Sequence, residues 1–468
     1  MLVEYYFNYV CQIFSSFDGT LNPFRSTVGK LWDGSAPIYF AIQSMAAAYL
    51  ANHFPRMTPV GVQMQRETYR CLYQMQQGAK GQAENLDKTL LTVLLVGQTT
   101  AWHDPKDLGL VHLKTAKRLN RRRLEQQGEG IGTRERRQNE FFQQCILYWD
   151  MLAGFVEDDV DEFGLGDVAL LEQRSPDDTE ASSSTGEKER VFPHPWTGVA
   201  PKVQQLFASV GRLIRHYRRA TTRDTSSFDF LSLDFIFDID SNSVTDSISQ
   251  AQALEEELLS FSPPSVTSLV DAGDENTPVH QYILLAEAYR CGALLELYRV
   301  FPSILLRRVP LTDSGFATSA DSNLFSFLPI NTTLPPEEFL LSLALHTISI
   351  LESLPLSSGT RCLQPIIFLV AGSELRFPNS SFPFDPAFNP ASQASSSMFN
   401  SITNREVDIA TARRFVVSRL GELCNSLPGK PVKRALRLVE ETWARGDRGD
   451  DVFWMDVMQE MGLETIFG

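Results

Sequence analysis

The stretch "PVKRALRLVEETW", Pro431 to Trp443, decides how the chain is read. Its apolar residues Val432, Ala435, Leu436, Val439 and Trp443 recur every three or four positions, the spacing that places side chains on one face of a helix. Pro431 sits where a first turn tolerates it, because that N–H would find no intrahelical partner anyway. The same period runs outward through the sequence. At the start, Leu2, Tyr5, Tyr6, Tyr9, Ile13 and Phe17 share a face. "PIYFAIQSMAAAYLANHF" reads as a helix begun by Pro37 and stopped by Pro55. Further helical patterns fall at about 61–77, 85–98, 107–126, 134–155, 199–219, 279–301, 336–353, 361–373, 405–426, 431–445 and 452–461. Strand-like alternation is scarce, so the expectation is an all-α fold of about a dozen helices.

Three segments interrupt the pattern and read as solvated, disordered inserts in one domain over residues 1–468: about 157–198, 221–277 and 376–403. The first contains "SPDDTEASSSTGEKER", the last "RFPNSSFPFDPAFNPASQASSSMFN". The chain has a formal charge of -15, unevenly spread. Residues 151–190 hold twelve Asp and Glu against three Lys and Arg, and residues 221–280 hold twelve against one. The helical remainder is therefore slightly basic overall, and the acid belongs to the inserts. This balance argues against a sequence-independent grip on nucleic acid, which needs a basic surface.

The N-terminus has no basic region before its apolar residues, so it does not read as a signal peptide. The most apolar runs, "TLLTVLLVG" and "PIIFLVAG", fall well short of the ~20 residues needed to span a bilayer, and no membrane partner is expected. Six cysteines are widely dispersed with no CxxC, as suits buried, reduced thiols. Chemistry is hard to find. There is no GxGxxG, P-loop or HExxH, and the seven histidines are scattered. The acidic run "EDDVDEFGLGD" fails as a calcium loop, since Phe163 and Leu170 occupy positions that need oxygen ligands. No catalytic or metal-binding residue is expected.

Two stretches carry non-catalytic candidates. "KTAKRLNRRRLEQQ" gathers Lys117, Arg118, Arg121, Arg122 and Arg123, with Lys114 nearby, on one helix. Such clusters serve as nuclear-import signals; the alternative is an ordinary solvated face. In "SSFDFLSLDFIFDID", Phe228, Phe230, Leu233, Phe235, Phe237 and Ile239 mix with aspartates and no basic residue. Carboxylates that keep such side chains in water leave them available to a coactivator groove, the composition of an activation segment. The alternative is a short stretch packing its aromatics on the helical core.

Taken in order, several segments resemble one family. "YYFNYVCQIFSSFDGTLNPFR", "AIQSMAAAYLANHF", "TLLTVLLVGQTTAWHDPKDLGLVHLKTAKRL" and "FFQQCILYWDMLAGF" are followed by the two most specific, "AEAYRCGALLELYRVFP" and "PIIFLVAGSE". The ending "ALRLVEETWARGDRGDDVFWMDVMQEMGLETIFG" completes the set. Together they resemble the regulatory domain of fungal binuclear zinc-cluster transcription factors, the fungal-specific transcription factor domain. The resemblance implies an all-α, non-catalytic regulator in the nucleus, acting on the transcription machinery or a coactivator and answering, in some members, to small-molecule effectors. Within it, Arg290, Arg299, Trp443 and Trp454 are expected to pack and cap.

The family's DNA contact is a separate module of six closely spaced cysteines holding two zinc ions. The six cysteines here cannot form it, and Met1 opens straight into the regulatory pattern. DNA would be reached only through a missing module or a partner, and zinc is expected only if an upstream module exists. A homodimer, or a heterodimer with a related factor, is expected as a partner state. The alternative is a stand-alone nuclear or cytosolic adaptor that titrates a related factor by heterodimerising.

Overall fold

The computed structural model describes residues 1–78, 86–127, 132–157, 190–226, 240–308, 335–377 and 404–468. Among them the fold is all-α, with two isolated β-bridges and no strand. The first helix runs as Leu2–Tyr5, a π turn over Tyr6–Val10, and Cys11–Ile13. There follow Pro23–Leu31, Ala36–Leu50, Thr58–Gly78, Leu86–Gln98, Leu110–Glu125 and Thr133–Gly154. The second half comprises Pro201–Ser226, Asp240–Ser260, His280–Val300, Pro302–Arg308, Pro336–Glu352, Pro365–Ser373, Asn404–Ser426, Gly429–Gly446 and Trp454–Met461. No helix among the described residues is long and apolar enough to cross a membrane.

Local chemistry sets the boundaries. The Asn22 side chain accepts from the Phe24 N–H at 2.9 Å, and Pro23 follows at the first helical position. Glu135 reaches back to the Gly132 N–H at 3.1 Å and satisfies a donor that the helix cannot. The last helix stops at Gly462, whose φ of +60° lets Leu463 N donate to Met458 O at 2.9 Å.

One continuous apolar core extends from Tyr6 to Phe467. Its axis is the His280–Val300 helix, buried on nearly every side by Pro201–Ser226, Asp240–Ser260, Pro336–Glu352 and Pro365–Ser373. A helix covered all round needs apolar residues all round, which is how "YILLAEAYRCGALLELYRV" reads. The amphipathic Gly429–Gly446 helix instead turns Val432, Ala435, Val439 and Trp443 inward, as its spacing predicts. Leu436 is only partly buried at the edge of that stripe.

The structure redraws the inner edges of two inserts. Residues 190–200 are ordered, and most are buried. Val191 N donates to Ser268 O and Val270 N to Val191 O, both at 2.9 Å, so the ends of the first two inserts are tied together. Asp240–Ser260 is a helix docked on the core through Ala251 and Leu258. Its Glu255 is fully buried, accepting from the Tyr298 hydroxyl at 2.8 Å and from Arg307 at 2.8 Å. That carboxylate meets cations supplied from elsewhere in the chain, which is why an acidic stretch can dock here. Residues 158–189, 227–239 and 378–403, with Phe228, Phe230, Leu233, Phe235, Phe237 and Ile239 among them, lie outside the described residues.

Candidate functional site

The stretches quoted above for their resemblance converge in space. The Tyr289 hydroxyl donates to Leu363 O at 2.7 Å, beside the Pro365–Ser373 helix. Trp443 Nε1 donates to Gly372 O at 2.7 Å. Trp454 Nε1 donates to Glu296 Oε1 at 2.7 Å. Arg299 lies 3.3 Å from the Glu374 carboxylate and also pairs with Asp451. Arg290 donates to Phe261 O at 3.1 Å and pairs with Glu287 at 2.7 Å. Each is a packing or capping contact between helices, as expected from the sequence. Burial lifts the Glu296 carboxyl to about 8, so it is largely protonated at neutral pH.

Next to this junction is a cavity between the two halves of the chain. Its walls come from places distant in sequence, among them Phe14 at the end of the first helix, Trp102 in the Thr100–His103 turn, Tyr148, Trp196, Cys362, and Leu427–Pro428 between two helices. Phe14 stands edge-on to both tryptophans, at 5.7 Å from Trp102 and 5.1 Å from Trp196. Offset and edge contacts of this kind fix ring positions beyond what area burial does. The space open to the centre of a water molecule is about 30 Å³. One water needs about 10–15 Å³ by that measure, so the cavity seats about two.

Two residues of the lining, 4% and 2% exposed, each carry a buried polar atom without a partner: Gln98 Oε1 and the Tyr148 hydroxyl. Leaving such a group unpaired costs about 1–3 kcal/mol, so each calls for an explanation. The lining also holds the Cys362 thiol, which donates to Gly359 O at 3.4 Å. Burial pushes that thiol up to about 12, and it drives the Tyr148 phenol well above its ordinary value. Both therefore stay protonated. A neutral amide, hydroxyl and thiol among aromatic rings can bind and orient a molecule, and none is activated for nucleophilic or acid–base chemistry.

Trp196 is held by a turn, "HPWTG", that sequence reading had assigned to an insert. His194 Nδ1 accepts from the N–H groups of Trp196 and Thr197, each at 3.1 Å, which leaves the ring proton on Nε2. Nε2 then donates to Phe141 O at 3.2 Å. The Trp196 indole donates to Phe14 O at 2.7 Å, joining two cavity walls directly. Gly198 closes the turn with φ +59°. Burial holds the His194 imidazole down to about 3, so it is neutral. The signal available in the sequence was a histidine and a tryptophan beside proline and glycine, stranded at the end of an otherwise polar run.

The basic cluster is divided by the structure. Lys117 pairs with Asp150 at 2.6 Å, and Asp150 also binds Arg212. Arg123 is buried, pairs with Asp87 and lies over the Phe142 ring at 5.0 Å. These two support the Leu110–Glu125 helix. Arg118 and Arg122 are exposed, and Arg121 is half-buried. All six cysteines are buried with free thiols.

Compared with known families, the chain matches the one described as fungal specific transcription factor domain, over residues 1–468. No curated protein and no solved structure is recognisably similar to it. With all of its residues inside that match, the chain belongs to the fungal-specific transcription factor domain family.

Proposed function

We propose that this chain is a non-catalytic regulatory domain of a zinc-cluster-type transcription factor, working in the nucleus through protein partners and answering to a small effector bound in the aromatic cavity. Family membership supports the transcriptional role. The observation that carries the effector is the pair of buried, unpartnered atoms, Gln98 Oε1 and the Tyr148 hydroxyl, on residues that line one aromatic-walled space. A fitting molecule is small, flat and mostly apolar, and brings an N–H or O–H for the Gln98 carbonyl. Anything much larger than two waters must shift walls that belong to several separate elements. Binding energy would then favour a changed packing between helices, which is how a ligand shifts a two-state protein.

Two sequence features complete the proposal. Exposed Arg118 and Arg122 give an import receptor something to grasp on the Leu110–Glu125 helix. Phe228, Phe230, Leu233, Phe235, Phe237 and Ile239 provide the acidic-aromatic composition suited to a coactivator.

The test is mass spectrometry of small molecules retained by the protein from a fungal extract, followed by calorimetric titration of what is found. Tyr148→Phe and Gln98→Leu should each weaken binding about tenfold or more, since each removes one hydrogen bond in a dry site. Without ligand, Gln98→Leu should be neutral or stabilising, because it deletes an orphaned polar atom. Unchanged affinity in both variants would remove the cavity from the account.

A further inference from the structure

A second site lies on the central helix. Glu287 and Cys291 are one helical turn apart on His280–Val300 and so share a face. The Pro336–Glu352 helix packs against that face and brings His346 to it. One ligand atom from each of the three lies within 4.8 Å of the others, and Cys291 Sγ is 3.5 Å from Glu287 Oε1. Glu287 and His346 are half-buried and Cys291 is buried, so the group opens to solvent on its carboxylate and imidazole side.

We propose that Glu287, Cys291 and His346 bind a single zinc ion between these two helices. Sulfur, nitrogen and oxygen together suit this borderline-soft, tetrahedral ion better than they suit magnesium or calcium, which prefer oxygen alone. Zinc holds its ligands at about 2.0–2.3 Å, which puts tetrahedral ligand atoms about 3.3–3.8 Å apart. Cys291 Sγ and Glu287 Oε1 already lie at such a distance, and the widest separation needs to close by about 1–1.5 Å. Arg290 holds the carboxylate in place, donating to Glu287 Oε1 at 2.8 Å and lying 2.7 Å from Oε2, and each oxygen keeps a further lone pair for a metal. Ligating carboxylates are commonly oriented by such outer partners. As the Zn–S bond forms, the Cys291 proton leaves to solvent, and a water fills the fourth position. This site is separate from the DNA-reading zinc module of related factors, and its residues come from the regulatory domain itself.

The experiment titrates the purified, metal-free protein with cobalt(II), a spectroscopic stand-in for zinc. One equivalent should produce a thiolate-to-cobalt charge-transfer band together with the visible bands of a tetrahedral site, and one equivalent of zinc should bleach both. Cys291→Ser should abolish the charge-transfer band, while the other five cysteines remain in place. His346→Gln, on a half-buried residue, should raise the cobalt needed for half-saturation at least tenfold. If Cys291→Ser fails to fold, judged by its helical circular dichroism, the His346→Gln titration alone decides. No band in the wild-type protein, a band that survives Cys291→Ser, or unchanged affinity in His346→Gln would overturn the proposal.

Discussion

Replacing His194 by asparagine should remove about 2 kcal/mol of the stability that the protein loses between pH 7 and pH 5. In the folded chain burial holds this imidazole at about 3, against an ordinary 6.5. Below 6.5 the unfolded chain takes up a proton that the folded chain refuses until about 3. Stability present above 6.5 is therefore lost as pH falls through that window. From pH 7 to pH 5 the loss is about 2 kcal/mol. His103, held at about 4 by burial and by Lys430, adds a loss of similar size, about 2 kcal/mol. Glu296 acts in the opposite direction. Its carboxyl sits at about 8 against 4.5, so the folded chain holds a proton that the unfolded chain lacks, and stability rises as pH falls from 8 to 4.5. Over the same two pH units that gain is about 2–3 kcal/mol. The three groups alone leave the wild type about 1 kcal/mol weaker at pH 5, and His112 and His346, also held down by burial, add losses of the same sign. Asparagine can present its Oδ1 to the Trp196 and Thr197 N–H groups, keeping the turn, but it has nothing to titrate. Whatever its stability at pH 7, His194→Asn should lose about 2 kcal/mol less than the wild type from pH 7 to pH 5. Urea unfolding followed by circular dichroism at both pH values measures the difference. Parallel pH dependence in the two proteins would refute the assignment of His194 as a buried neutral imidazole.

Other perturbations probe the packing. Gly97→Ala would put a Cβ 2.4 Å from the Trp149 ring and 2.5 Å from His112 Cβ. Overpacking of that kind costs about 1–3 kcal/mol and outweighs the helix propensity gained, about 1 kcal/mol, so the urea midpoint should fall. Glu255→Ala leaves the Tyr298 hydroxyl and the Arg307 and Arg308 guanidinium groups without their shared acceptor. Breaking a fully buried set costs about 3–5 kcal/mol; with both arginines partly exposed, about 3 kcal/mol is expected. Hydrogen exchange should then quicken across Asp240–Ser260 before the rest of the chain, and uniform quickening would contradict a locally anchored helix.

Most of the fold was legible because most helices either show an apolar stripe or are apolar throughout, and proline and glycine punctuate their ends. Pro431 and Pro37 each lie in the first turn of a helix that the structure retains, while the pattern at 361–373 divides into a 3-10 turn and a helix that begins at Pro365. The Asp240–Ser260 helix was missed for an electrostatic reason. Its Ile248, Ala251, Leu254 and Leu258 keep helical spacing, but three consecutive glutamates and no basic residue made the stretch read as solvated. The cations that hold Glu255 come from Arg307 and Arg308, about fifty residues on, which no local window contains. The cavity was illegible for a related reason. Phe14, Trp102, Tyr148 and Trp196 look like ordinary core aromatics one by one, and only the fold makes them surround a space. The Glu287, Cys291 and His346 group is half local, an i, i+4 pair, and half a product of helix packing.

The most direct measurement of the central claim is reporter transcription in a fungal host carrying residues 1–468 fused to an unrelated DNA-binding module. The account predicts output different from that of the module alone, and a marked fall in activation when Phe230, Phe235 and Phe237 are changed together to alanine. Output indistinguishable from the bare module, under every growth condition tried, would contradict a transcription-regulatory role for this chain.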